Sequence, residues 1–227
     1  MKKYNFIWIA LFALTFTTQI NSQSLKAGII GGFNFSNLNA TISDIKREVD
    51  GVTNFGIGAV ILYDLNYNLA IQIEPMYISK GGIIKKNDES SEMDIKANYI
   101  ELPLLFKASI GENIRPFVTA GATIGFFLDG TGTTKVSNLQ LKMDVKPITN
   151  TIELGLTFGA GVGIDLWKGH LFVEGRYSFS LANQIKNGTI EWKLGNTSVE
   201  MDEINADQTS LKNSAIMVLI GFSLPIF

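Results

Sequence analysis

The chain has 227 residues, with 19 Lys and Arg against 21 Asp and Glu, one His and no Cys, for a formal charge of −2. A near-neutral balance without a basic block excludes the electrostatic footprint of nucleic-acid binding, and the lack of Cys excludes a disulfide framework and thiolate chemistry. The length suits one domain after removal of an export signal.

At the N-terminus Lys2 and Lys3 precede an apolar run from Phe6 to Phe16 and a polar exit through Thr17, Thr18, Asn21 and Ser22. This reads as a secretory signal peptide over 1–22, too short to span a bilayer, leaving a mature domain of 23–227. Beyond it, bulky apolar residues alternate with small or polar ones in segment after segment. The clearest run is 154–166, where Leu154, Leu156, Phe158, Val162, Ile164 and Leu166 alternate with Gly, Thr or Asp. A period of two is the period of a strand. Eight strands are expected: 25–35, 54–65, 69–79, 95–110, 115–128, 152–166, 170–182 and 214–227.

The connections alternate in length. Long polar gaps at 36–53, 80–94, 129–151 and 183–213 take turns with tight ones around Asn66, Gly111-Glu112-Asn113 and Trp167-Lys168-Gly169. Short turns at one end and long loops at the other are the pattern of outer-membrane barrels. No segment of the mature chain supplies the ~20 consecutive apolar residues of a membrane helix, so a bilayer-spanning fold must be a closed barrel, which alone pairs every strand amide away from water. The expected fold is therefore all-β, an eight-stranded antiparallel transmembrane β-barrel of outer-membrane type. Both termini would be periplasmic and the long loops extracellular.

Parity divides each strand into two faces. Lys26, Gln72, Glu74, Glu101, Lys107, Asp165, Glu174 and Arg176 share one face with Gly28, Gly56, Gly58, Thr119, Gly121, Thr123, Thr157 and Gly159, which assigns it to the lumen. Ile57, Ile61, Ile71, Ile73, Leu102, Leu104, Val118, Leu154, Leu156, Phe158, Val162, Val173, Val218 and Ile220 lie on the other face, against lipid. Tyr63, Tyr67, Tyr77, Trp167 and Tyr177 fall near strand ends, where amphipathic rings form interfacial girdles.

Several segments carry a family resemblance. They are Ile-Gln-Ile-Glu-Pro-Met-Tyr at 71–77 with Lys80-Gly81-Gly82, Tyr99-Ile-Glu-Leu-Pro-Leu-Leu-Phe-Lys107, Pro116-Phe117 through Ala120-Gly121, Gly159-Ala160-Gly161 and Val173-Glu-Gly-Arg-Tyr177. In order and spacing the chain resembles the PorT-like, "porin family" outer-membrane β-barrel group over nearly its whole mature length. Gly221, Leu224 and Ile226 keep the spacing of the terminal insertion signal of similar barrels, and the aromatic Phe227 lies one position beyond it. The resemblance implies insertion by the barrel assembly machinery, a setting of outer-membrane lipid and lipopolysaccharide, and a link to secretion-system components.

Glu74, Glu101, Lys107, Glu174 and Arg176 are the candidate lumen residues. An eight-stranded lumen is only wide enough for side chains to fill it, so these charges are expected to pair into a network that plugs the barrel. The alternative is a narrow proton, ion or small-solute path along the same carboxylates. Catalysis has little to stand on: the one histidine, His170, is expected as a solvated turn residue, Asp129, Asp202 and Asp207 as solvated loop carboxylates, and no metal or cofactor pattern is present. Two loop segments, 139–145 and 190–194, alternate like strands, which predicts a small sheet projecting beyond the membrane. Trp192 within it is either an anchor for a partner, as in surface adhesion, or a packing residue of the hairpin. The expected role is non-enzymatic, an envelope structural or interaction protein.

Overall fold

Alternating sequences with small inward residues can pair side by side without limit until the sheet closes on itself, and that closure is what the chain adopts. A computed structural model describes residues 25–226 except 43, 44, 48, 86–90, 137, 138, 167 and 196, so the signal peptide expected over 1–22, Trp167 and Phe227 lie outside the described residues. The strands are β1 (Leu25–Ile42), β2 (Ile45–Arg47), β3 (Val49–Asp64), β4 (Leu69–Ile73), β5 (Met76–Lys85), β6 (Ser91–Ser109), β7 (Ile114–Val136), β8 (Leu139–Asp144), β9 (Ile152–Leu166), β10 (Gly169–Ser180), β11 (Gly188–Leu194), β12 (Thr197–Ile204) and β13 (Thr209–Pro225). A 3-10 turn, Lys146–Ile148, follows β8.

The pairings resolve thirteen segments into eight staves. Each of β1, β3, β4 with β5, β6, β7, β9, β10 and β13 pairs antiparallel with the next, and β13 returns to β1 from Lys26↔Pro225 to Ile42↔Thr209. The ring is closed. One stave is broken into β4 and β5 at Glu74-Pro75. Proline has no N–H to give to the ladder, and Pro103 of β6 lies opposite the break, its carbonyl accepting from Glu74 N–H at 3.2 Å.

Several strands run further than sequence parity predicts. β1 continues to Ile42, β5 to Lys85 and β7 to Val136, because the loop-end segments keep pairing beyond the barrel. In β7 a register shift opposite Asn98/Tyr99 inserts one extra residue. Phe127 is buried, Leu128 and Asp129 both face out, and Gly130 faces in, so the inward parity changes from odd to even.

A second irregularity lies between β3 and β5. Their ladder stops at Gly51↔Gly82 and resumes at Gly56↔Ile78, and residues 52–55 of β3 pair only with β1. Side chains of β1 take over the freed β5 amides. Ser36 Oγ accepts from Gly81 N–H at 3.0 Å and lies 3.1 Å from the Gly81 carbonyl, to which it donates, and Asn34 Nδ2 donates to the Ser79 carbonyl at 2.8 Å. Buried backbone groups are thus satisfied without a neighbouring strand.

The short connections at the terminus-bearing end are tight. Asn66 Oδ1 caps the N–H groups of Asn68 and Leu69 at 2.9 Å each, and Gly111 takes φ +98°, which a side chain resists. At the other end β8 pairs with β7, β11 with β8 through Trp192↔Met143, and β12 with β11, forming the projecting sheet that the alternation at 139–145 and 190–194 predicts. Gly195, at φ +63°, turns β11 into β12.

Candidate functional site

The outward face is apolar around the ring: Ile29, Phe33, Ile57, Leu104, Phe106, Val118, Phe158, Val173, Val218 and Ile220 are exposed large hydrophobics. A soluble protein does not present such a continuous belt, whereas a barrel in lipid requires it. Tyr63, Tyr67, Tyr77 and Tyr177 also point outward.

β10 reads the interior from the turn end to the loop end, since His170, Phe172, Glu174, Arg176, Ser178 and Ser180 are all buried. His170 is a correction to the expected solvated turn residue. It is 6 % exposed, its Nδ1 lies 2.7 Å from Asp165 Oδ1, and its ring stacks on Phe172 at 6.0 Å. The cause is the barrel register, which sets His170 directly opposite Asp165 across the tight turn and inside the mouth.

One layer deeper, Phe172 meets Phe117 edge to face at 6.1 Å, with Lys107 Nζ 3.8 Å from the Phe117 centroid and 4.7 Å from that of Phe172. Next comes a triad. Arg176 Nη1 and Nη2 hold Glu74, the latter at 3.0 Å, and Arg176 Nη2 and Nε hold Glu174 at 2.8 and 3.2 Å. Thr119 donates to Glu174 at 2.6 Å, and Gln72 donates to Glu74. Gly159 makes room for this arrangement: a Cβ there would overlap Glu174 Oε1 and Thr119 Oγ1.

A second triad follows towards the loop end. Lys80 is held between Glu101 and Glu153, at 2.7 Å from the latter. Ser180 and Asn213 donate to Glu153 at 2.6 and 2.7 Å, and a Thr123–Thr157 hydrogen bond of 2.7 Å crosses the wall beside it. Among the five sequence candidates, then, Glu74, Glu174 and Arg176 come together, Glu101 belongs to a separate cluster, and Lys107 touches neither. Lys80 and Glu153 were missed. Lys80 lies one residue past the expected end of its strand, and Glu153 one residue before the run that displayed the parity most clearly, although both share the inward parity of their neighbours.

The lumen also holds large apolar groups where parity suggested mainly Gly and Thr. Ile30, Val60, Leu62, Met76, Ile78, Leu105 and Leu219 are buried inside. At the loop end Tyr99 and Phe127, edge to face at 5.5 Å, join Met143, Val145, Ile148, Ile185 and Ile190 in one cluster that caps the lumen. The Trp192 ring is half-buried against that cluster, and its Nε1 donates to Asp202 at 2.8 Å. These are contacts of the kind a packing residue of the hairpin makes. Asp129 likewise accepts from Asn98 at 2.8 Å. On the exposed sheet surface the Glu191 carboxyl is held below its usual range by the Ser198 hydroxyl and, second, by Lys193.

Among the described residues no group of three or more His, Cys, Asp or Glu side chains could hold a metal ion. A closed antiparallel barrel with an apolar belt and a charge-lined interior defines a membrane-spanning barrel protein. Its family follows from the sequence: residues 19–186 match the model of the outer membrane protein beta-barrel domain, and the chain belongs to that family. Its place is therefore the outer membrane, among lipid and lipopolysaccharide. The chain matches no curated protein by sequence. Its fold is similar to that of a major outer membrane protein from Thermus thermophilus, at 11% identity and TM-score 0.55, covering 89% of this chain and 100% of that one. It is also similar to the outer membrane protein OprG from Pseudomonas aeruginosa, at 11% identity and TM-score 0.52, covering 90% and 97%.

Proposed function

We infer that this is a non-enzymatic outer-membrane protein that works at its surface, as an envelope structural or interaction protein, and conducts nothing along its axis. The observation that carries this reading is the lumen: Glu74, Gln72, Glu174 and Arg176 are 0–2 % exposed, and the apolar cap closes over the second triad. What remains available is the projecting sheet, whose outer strand β12 pairs with β11 on one edge and, among the described residues, with no strand on the other. A free edge with exposed Val199 and Met201 suits recruitment of a partner by strand addition. In this reading the termini and short turns are periplasmic, the barrel assembly machinery inserts the chain, and the sheet is extracellular. The PorT resemblance adds secretion-system components as candidate partners.

The test is crosslinking of a tagged copy in its native outer membrane, alongside a variant whose 188–204 hairpin is replaced by a short Gly-Ser turn. Partners captured by the intact protein and lost from the trimmed one support a surface role for the sheet. Identical captures from both, in a variant that still folds as a heat-modifiable barrel, refute it.

A further inference from the structure

The outer wall is concave where β1, β3, β10 and β13 meet. A groove of about 370 Å³ lies there, bordered by the exposed Phe35, Tyr177 and Ile216 and floored by the shorter Asn37, Thr53 and Ser214. Register explains the dent. Asn37 is directly opposite Ser214, Phe35 is opposite Thr53, and Gly51 beside Asn37 adds no side chain. Adjacent staves thus place short groups at one height, and the space they leave is in the size range of small-molecule sites, roughly 300–1,000 Å³.

The groove changes character along its length. Towards the turn end the next outward residues of β1, β3 and β13 are the apolar Phe33, Ile57 and Val218. Towards the loop end they are Asn39, Gly51 and Lys212, all exposed. The groove therefore straddles the level at which the apolar belt gives way to hydrogen-bonding groups, and Tyr177 borders it at the height expected of a girdle ring. Its lower half continues the surface that lipid covers, so its occupant is a lipid. Its upper half calls for a head that exchanges hydrogen bonds. Lys212 adds one positive charge: it lies opposite Asn39, and its neighbours on β1 and β13, from Asn37 to Thr41 and at Ser210 and Ser214, carry no carboxylate. The Lys212 ammonium gives one N–H to the Leu181 carbonyl at 3.3 Å and has three to give.

We propose that this groove holds one lipopolysaccharide molecule by its lipid A end. An acyl chain lies against Phe35, Tyr177 and Ile216, the amino-sugar head meets Asn37, Thr53 and Ser214, and a phosphate of that head meets Lys212. The proposal rests on the loop end being extracellular, as in the reading above, and makes no use of the projecting sheet. A glycerophospholipid shares the chain and the phosphate, but it lacks a sugar to occupy the Asn37, Thr53 and Ser214 floor.

Native mass spectrometry tests this on the full refolded barrel, released from micelles loaded with equimolar lipid A and phosphatidylglycerol. The expected result is one retained lipid A in preference to phosphatidylglycerol. Retention should fall several-fold in Ser214→Phe, which fills the groove, and should be unchanged in Val118→Phe, which adds the same ring to the lipid face of β7. No retained lipid A, equal retention of the two lipids, or equal behaviour of the two Phe variants overturns the proposal. Should Ser214→Phe fail to form the heat-modifiable barrel, Lys212→Gln carries the test: weaker retention of lipid A is expected, and unchanged retention counts against the site. No protein partner is present in this measurement, and a barrel trimmed of the 188–204 hairpin should retain lipid A as the intact one does. Failure of the surface role and failure of the lipid site are therefore read separately.

Discussion

Replacing Arg176 by Met removes the one cation between two fully buried carboxylates. In the wild type that guanidinium makes four N–H contacts to Glu74 and Glu174, and all three side chains are closed to solvent. Taking one partner from a buried ion pair costs about 3–5 kcal/mol, because the remaining charge is left desolvated. Here two carboxylates are stranded side by side, so the upper half of that range applies. With a urea slope of about 1–3 kcal/mol per molar, the unfolding midpoint should fall by at least ~1 M. The assay is urea unfolding of detergent-refolded barrel, followed by tryptophan fluorescence and by the shift between folded and unfolded bands on unboiled gels. The triple variant Arg176→Met, Glu74→Gln, Glu174→Gln should recover part of the loss, because no buried carboxylate is left without a cation. A single Arg176→Met variant within ~1 kcal/mol of wild type, or a triple variant no better than the single, would refute the idea that mutual neutralisation holds this layer together.

Three further outcomes are expected. Ser36→Ala, which strands the Gly81 N–H and carbonyl where β3 leaves the ladder, should cost about 1–3 kcal/mol in the same urea assay and raise amide exchange at Gly81. Gly159→Val places a side chain in the space of Glu174 and Thr119, so it should lower the midpoint as far as the Arg176 variant does, whereas Ala160→Val one residue away, on the exposed face, should leave it nearly unchanged. Val118→Lys, on the lipid face, should cost about 2–4 kcal/mol if the residue sits near mid-bilayer, measured by reversible unfolding from lipid vesicles, where an unchanged value would place it at an interface.

The fold was legible because a barrel's two environments write themselves into sequence at period two. The bounds expected for 152–166 are those of β9, and most outward residues named from parity are exposed, with Ile71, Ile73 and Leu156 half-buried. Parity fails where the backbone leaves the regular ladder. The extra residue in β7 exchanges odd for even inward positions after Phe127, so the stretch from Asp129 to Val136 reads as loop although it pairs with β6 and β8. The strand expected over 69–79 runs through Pro75 but stops at Ser79, because Lys80-Gly81-Gly82 reads as the start of a loop; β5 carries the stave on to Lys85, and with it Lys80. The charge network was legible in part: Glu74, Glu101, Glu174 and Arg176 do face inward, but Lys80 and Glu153 were missed, and which carboxylate meets which cation depends on strand tilt and register around the ring, decided by all eight staves together. His170 shows the same limit, since a turn-flanking histidine in sequence becomes a buried one only once closure brings Asp165 and Phe172 around it.

Conduction is where these contacts bear most directly on function. An ion moving along the axis would have to displace Lys107 from between the two phenylalanine rings, then part Arg176 from its two carboxylates, then pass Lys80 between Glu101 and Glu153. Opening either triad costs energy of the order that mutation does, about 3–5 kcal/mol, and the apolar cap of Met143, Val145 and Ile148 adds a dry barrier beyond it. A barrier of that size alone is crossed quickly; what favours a silent barrel is that buried side chains fill the axis from Lys107 to the cap, so that an ion would have to shed its water to pass. Purified protein in a planar bilayer should therefore be silent, and neutralising Glu101 or Arg176 should change only its stability. Single-channel steps in the wild type that shift on neutralising either residue would mean that the triads exchange partners faster than their geometry implies, and would return the lumen carboxylates to the role of an ion path.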